Sequence, residues 1–133
     1  MDDSLYFTEH HHQVREMVRD FSRTHIGPVA AELDRTSTFP WDNIKAMGEL
    51  GLLGVPWSED LGGAGMDQLS YYITIHEMAK VDASHALTIS AHTNLGTSPI
   101  VEFGTDISGA AGGAKRRPGR GCWIRNDNSA SVG

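Results

Sequence analysis

The sequence predicts an all-α protein, an orthogonal bundle of about five to six helices followed by an irregular C-terminal tail. Three observations point there. Apolar residues recur at helical spacing from Val14 to Phe103, no stretch alternates as a strand does, and helix start and stop residues fall between the periodic segments. With 133 residues, 39% of them hydrophobic, the chain is long enough for one modest core.

Thr8 is placed to cap a first helix, with Glu9 in the turn where the helix dipole favours an anion. Val14, Met17, Val18 and Phe21 then form one apolar stripe, with Arg15, Glu16, Arg19 and Asp20 on the other side. Gly27-Pro28 interrupts, and Pro28 suits the first position of a second helix, PVAAELDR, closed by polar residues and Phe39-Pro40. A third helix, WDNIKAMGEL, turns Ile44, Met47 and Leu50 inward and stops at Gly51. After the loop VPWSEDLGGAGM, Asp67 caps a fourth helix over about 67–81. Its apolar residues Leu69, Tyr72, Ile73, Ile75, Met78 and Ala79 cover more than one face, which predicts the most buried element. A fifth helix runs over about 84–95 to a stop at Gly96, and Ser98-Pro99 opens a short sixth reaching Phe103.

The pattern ends near Thr105, and the composition changes with it. Residues 1–104 hold 15 of the 17 acids, whereas the last 29 residues hold five of the 11 Lys and Arg and six of the 15 glycines. This divides the chain into a helical domain, 1–105, and a Gly/Ala/Arg-rich tail, 106–133. The acidic body argues against nucleic acid, which requires a clustered basic face, and Lys115-Arg116-Arg117 reads as a solvated cluster. Cys122 is the single cysteine, so no internal disulfide forms. No apolar run approaches the roughly 20 residues of a membrane span, and the acidic start lacks a targeting pattern, so a cytoplasmic protein is expected.

Chemistry-bearing motifs are sparse. GGAGMD before a helix invites a phosphate, but it lacks the third glycine of a dinucleotide fingerprint and a strand in front, which favours a structural loop. Successive helical residues point about 100° apart, so His10, His11 and His12 do not converge on one metal ion. His76, His85 and His92 have no carboxylate at ligand spacing, and no serine elbow or paired thiol is visible. One constellation is more specific. Leu87, Ala91 and Leu95 fall at i, i+4 and i+8, flanked by Thr88 and His92. This pattern points first to ordinary core packing; a stripe broken by Ala91 can also leave a groove wide enough for an aliphatic chain.

PWSEDLGGAG, HEMAKVDAS and AHTNLGTSPIVEFGT, in this order, together with the opening TEHHHQVREMVRDFSRTHIGPVAAELDRT, resemble the N-terminal helical domain of acyl-CoA dehydrogenases over about residues 5–105. Leu61 stands where an aromatic is common, and His76 where the first glutamate of a pair is common. The resemblance implies a three-domain flavoenzyme that takes an α-proton from an acyl-CoA with a glutamate and passes a β-hydride to FAD. Electrons then leave through an electron-transferring flavoprotein, and full-length members are usually homo-oligomeric. It also implies that the fifth helix walls the acyl pocket, which singles out Leu87, Thr88, Ala91, His92 and Leu95 as substrate-binding residues.

After Thr105 the sequence departs from the family, which continues into a Gln/Lys-rich helix and then a β-domain with a flavin-binding segment. No catalytic glutamate or flavin motif has a counterpart here, and Glu77 and Glu102 belong to the helical domain. The expectation is a truncated reading frame with a non-family tail, inactive alone. A stand-alone helical interaction module, or one fragment of a complementing pair, is the other reading.

Overall fold

The computed structural model describes residues 5–104; Cys122, the Lys115–Arg117 cluster and the rest of the expected tail lie outside them. Among the described residues there are six α-helices: α1 Glu9–Phe21, α2 Gly27–Thr36, α3 Trp41–Glu49, α4 Gln68–Ala79, α5 Ala83–Ser90 and α6 Ser98–Phe103. No strand occurs among the described residues, in keeping with the all-α expectation.

Two expected breaks are not breaks. The segment Ser22–Ile26 joins α1 to α2, and Ala91–Thr97 joins α5 to α6, both wound as π-helix with helical backbone at each junction. Each precedes a proline, Pro28 in one case and Pro99 in the other. A proline lacks the N–H an α-helix needs, and its ring collides with the carbonyl four residues back. Here the winding widens just before the ring instead of ending. The stop expected at Gly96 is therefore corrected: residues 83–103 form one rod, and residues 9–36 another.

Termination at Gly51 is real. Gly51 takes φ +76°, its N–H bonds to the Gly48 carbonyl at 3.1 Å, and Leu52 N–H bonds to the Met47 carbonyl at 2.9 Å. These two bonds make a Schellman motif, and Leu52 and Met47, its usual apolar pair, are both buried. Leu50, expected inward, is 46% exposed, because the chain reverses at Gly51 and sends Leu52, Leu53 and Val55 into the core instead.

α4 packs between α1 and α5, as its multi-faced pattern predicts. The side facing in carries Tyr71, Ile73, Thr74, Glu77 and Met78, while Tyr72 is 61% exposed, so the inward tyrosine is Tyr71. Val14, Val18 and Phe21 of α1 and Ile44 and Met47 of α3 complete the core with Ala86 and Ile89 of α5.

Candidate functional site

The buried face of α5 carries His85, Ala86 and Ile89, which fixes where its other face must look. Leu87 is 69% exposed and Leu95 is 78% exposed, so core packing does not describe the two leucines of the stripe. Thr88, Ala91 and His92 are half-buried between them. Two large apolar side chains near a small one and an imidazole thus form an uncovered strip along the 83–103 rod. Such a strip loses free energy to water until something apolar covers it.

The polar groups of the strip are individually tied. Thr88 Oγ1 donates to the Ser84 carbonyl at 2.9 Å. The His92 ring donates from Nδ1 to the Leu53 carbonyl at 3.1 Å, and Thr93 Oγ1 reaches the same oxygen at 3.4 Å. Burial pulls the His92 pKa below the ordinary imidazole value, opposed by the hydrogen bond to Leu53. Asn94 Nδ2 donates to the Tyr71 hydroxyl at 3.0 Å, fastening the π segment to α4. The role of the Leu53 carbonyl was not readable in the sequence, because a backbone acceptor carries no residue-type signal.

Two of the other histidines, His11 and His85, are structural. His11 is buried; its Nδ1 accepts from Thr8 N–H at 3.0 Å, and its Nε2 donates to Asp67 Oδ2 at 2.8 Å. His85 is buried with Nδ1 on the Asp82 carboxylate, and its Nε2 accepts from Asn43 Nδ2 at 3.1 Å. His10 and His12 neighbour His11 on α1 without converging with it on a common centre. Among the described residues, no three His, Cys, Asp or Glu side chains are placed to share a metal ion.

Glycines in the GGAGMD loop serve the loop itself. Gly62 N–H bonds to Glu59 O, Gly63 to Ser58 O, Ala64 to Gly54 O, Gly65 to Trp57 O and Met66 to Val55 O, all at 2.8–3.0 Å. A Cβ on Gly63 would lie 2.1 Å from the Trp57 carbonyl oxygen, so glycine is required by close backbone approach. With every amide from Gly62 to Met66 already bonded within the chain, the loop does not fit the pyrophosphate of FAD, which would need free amides.

Glu77 is equally committed. It is only 3% exposed, and it accepts from Arg19 Nε at 3.2 Å and from Lys80 Nζ at 2.7 Å. Burial pushes its pKa up, but the hydrogen bonds and charges of Lys80 and Arg19 outweigh it and hold the carboxylate below its ordinary range. A carboxylate so neutralised joins α1 to α4 and is not poised as a base.

The geometry defines a class: a helical domain with a packed core and an uncovered apolar strip on the helix of residues 83–103. The chain belongs to the acyl-CoA dehydrogenase family, since the model for the acyl-CoA dehydrogenase N-terminal domain matches residues 8–108. It is 46% identical over 106 residues to the short-chain-specific acyl-CoA dehydrogenase of Clostridium acetobutylicum, covering 80% of this chain and 27% of that protein. It superposes with TM-score 0.71 and 30% identity on butyryl-CoA dehydrogenase from Megasphaera elsdenii, covering 79% of this chain and 28% of that one. A chain solved in work on the electron transferring flavoprotein of Acidaminococcus fermentans and flavin-based electron bifurcation matches with TM-score 0.78 and 32% identity. That match covers 90% of this chain and 31% of the other. The sequence thus spans little more than a quarter of the curated relative's length. Among the described residues no helix is long and apolar enough to cross a membrane.

Proposed function

We propose that this chain supplies one wall of the acyl pocket in an FAD-dependent acyl-CoA dehydrogenase, an enzyme that forms a Cα–Cβ double bond in an acyl-CoA thioester. The observation that carries the reading is the exposure of Leu87 and Leu95 beside half-buried Ala91 and His92 on a rod whose opposite face is core. Leu87 and Leu95 contribute apolar area to the substrate chain, Ala91 leaves depth between them, and Thr88 and His92 bound the strip. Covering the strip with substrate excludes water from it, which is the contribution these residues make to the chemistry.

FAD, when bound in the whole enzyme, accepts the hydride; the described residues of this chain contribute neither its cradle nor the base. Alone, the chain is therefore expected to be inactive. The likeness to a short-chain-specific and a butyryl-CoA dehydrogenase supports a short acyl chain, and the likeness to the chain from the Acidaminococcus work supports an electron-transferring flavoprotein as the electron acceptor. A homo-oligomer in the cytoplasm completes the proposal.

The test is photolabelling of the purified chain with a butyryl-CoA analogue carrying a diazirine at the end of its acyl group. Adducts are expected within residues 87–95, reduced by excess butyryl-CoA. Competable adducts confined to other helices would overturn the assignment. Self-association through the same face, with no competable adduct, would favour the stand-alone interaction module.

A further inference from the structure

One polar atom on the 83–103 strip, His92 Nε2, has no protein partner among the described residues. Because a carbonyl only accepts, the 3.1 Å contact of His92 Nδ1 with Leu53 O places the ring proton on Nδ1 and leaves Nε2 as a lone pair. Nε2 has no hydrogen-bond partner among the described residues and is not one of their enclosed, unbonded polar atoms, so it opens to solvent. Thr88, one turn back, does not satisfy it, since its hydroxyl proton is already given to the Ser84 carbonyl.

We propose that His92 sets chain length in this wall: its Nε2 is an acceptor that an acyl chain covers but never bonds, so the wall favours chains too short to reach it. The inference rests on the acyl-wall reading above. A methylene has no donor to offer. A chain lying over Nε2 removes its water and leaves the lone pair unpaired in an apolar setting, which costs more than the contact returns. Turning the ring over gives no escape, because that exchanges the Nδ1–H bonded to Leu53 for a carbon. Protonation gives none either, since an imidazolium N–H under an aliphatic chain is costlier still. A short chain occupies the strip without touching Nε2 and leaves the water in place.

Two measurements on the purified 133-residue chain test this. Long-range ¹H–¹⁵N correlation at pH 7 is expected to show His92 in the Nδ1–H form; an Nε2–H or doubly protonated ring would overturn the proposal whatever the ligand data show. Butyryl-CoA and octanoyl-CoA are then titrated while the amide signals of residues 87–95 are followed, for the native chain, His92→Leu and His92→Gln. The ratio of octanoyl-CoA to butyryl-CoA affinity is expected to rise about tenfold in His92→Leu, roughly what removing one unsatisfied acceptor yields. In His92→Gln, whose amide can donate to Leu53 while its oxygen remains an acceptor, the native ratio is expected. An unchanged ratio in His92→Leu overturns the role of His92 and leaves the wall standing. If neither thioester moves those amides, the wall itself is overturned, and this inference with it.

Discussion

His11 and Asp67 lie 56 residues apart in sequence and share a 2.8 Å hydrogen bond that ties the start of α1 to the start of α4. Both ends of the contact do double duty. His11 Nδ1 holds the Thr8 amide, and Asp67 Oδ1 accepts from Ser70 N–H at 2.7 Å, so one side-chain pair caps two helices. The Ser70 amide chiefly, with further help from His11 and against the opposing effect of burial, holds Asp67 at a pKa of about 2.

Removing that node is expected to be costly for so exposed a residue. Asp67→Ala loses the cap of α4 and leaves the buried His11 N–H without an acceptor, for a combined loss of roughly 2 kcal/mol. Asp67→Asn keeps an oxygen for one of the two donors and is expected to lose about half as much. Urea unfolding followed by circular dichroism measures both; equal midpoints for the native chain and Asp67→Ala would refute the shared-cap account.

Acid should unfold the domain over a definable window. Asp67, Glu77 and Asp82 all have folded pKa values below their ordinary ones. For Asp82, burial pushes upward and is outweighed by hydrogen bonds from His85 and Ser84. A depressed carboxylate pKa contributes stability that is complete above the unfolded value, about 4, and disappears as pH falls through the folded value. Between pH 5 and pH 7 the urea midpoint is therefore expected to be insensitive to these three groups. It should then fall steeply from about pH 4 towards pH 2. A midpoint unchanged at pH 3 would contradict the assignments.

Glu77 offers a test of a buried charge. Glu77→Ala leaves Arg19 and Lys80 without their shared acceptor, but both cations can turn to water, so a loss of about 2 kcal/mol is expected, short of the full cost of stranding a buried ion. Arg19→Ala is expected to cost less than Glu77→Ala, since Lys80 still pairs the carboxylate. A double-mutant cycle in urea reads the coupling directly; absence of coupling would show that the Arg19–Glu77 contact contributes nothing.

Gly63 and Gly65, two positions apart, should respond differently. Gly63→Ala forces a methyl into the Trp57 carbonyl and is expected to cost at least about 3 kcal/mol, with loss of the native loop. Gly65→Ala faces chiefly its own backbone, at φ +64°, and the movable side chain of Glu59, for a cost of about 1–2 kcal/mol. Thermal melts of the two variants should fall in that order, and the reverse order would mean the loop relaxes around position 63.

Much of the fold was legible because helices announce themselves locally. The 3–4 spacing of Val14, Met17, Val18 and Phe21, the cap at Asp67 and the stop at Gly51 are each set within one or two turns. What was not legible depends on partners distant in sequence. Nothing near Tyr71 and Tyr72 says which of the two turns inward; α1 and α5 on either side of α4 decide it. The same holds for Leu50 against Leu52 and Leu53, where the reversal at Gly51 exchanges one leucine for two. Pro28 and Pro99 misled for a different reason: a proline signals a missing hydrogen bond, and whether the helix ends or widens depends on how well the surrounding core holds it. In the candidate strip, the residues were visible as a pattern, but their exposure was not, and exposure is what separates a pocket wall from a core.

The widened turns before Pro28 and Pro99 each hold about one residue more than plain α-winding needs. A wider winding turns less per residue, so the surplus residue leaves the two flanking helices facing much as an unbroken α-helix would. Deleting one of the exposed residues 94–96 would let Ala91–Thr97 return to regular pitch while α6 keeps close to its present facing. Buried Thr93 and Thr97 are the positions where substitution would disturb the core. The segment thus absorbs a single-codon deletion that an ordinary stretch of α-helix would pass on as a rotation of about 100°.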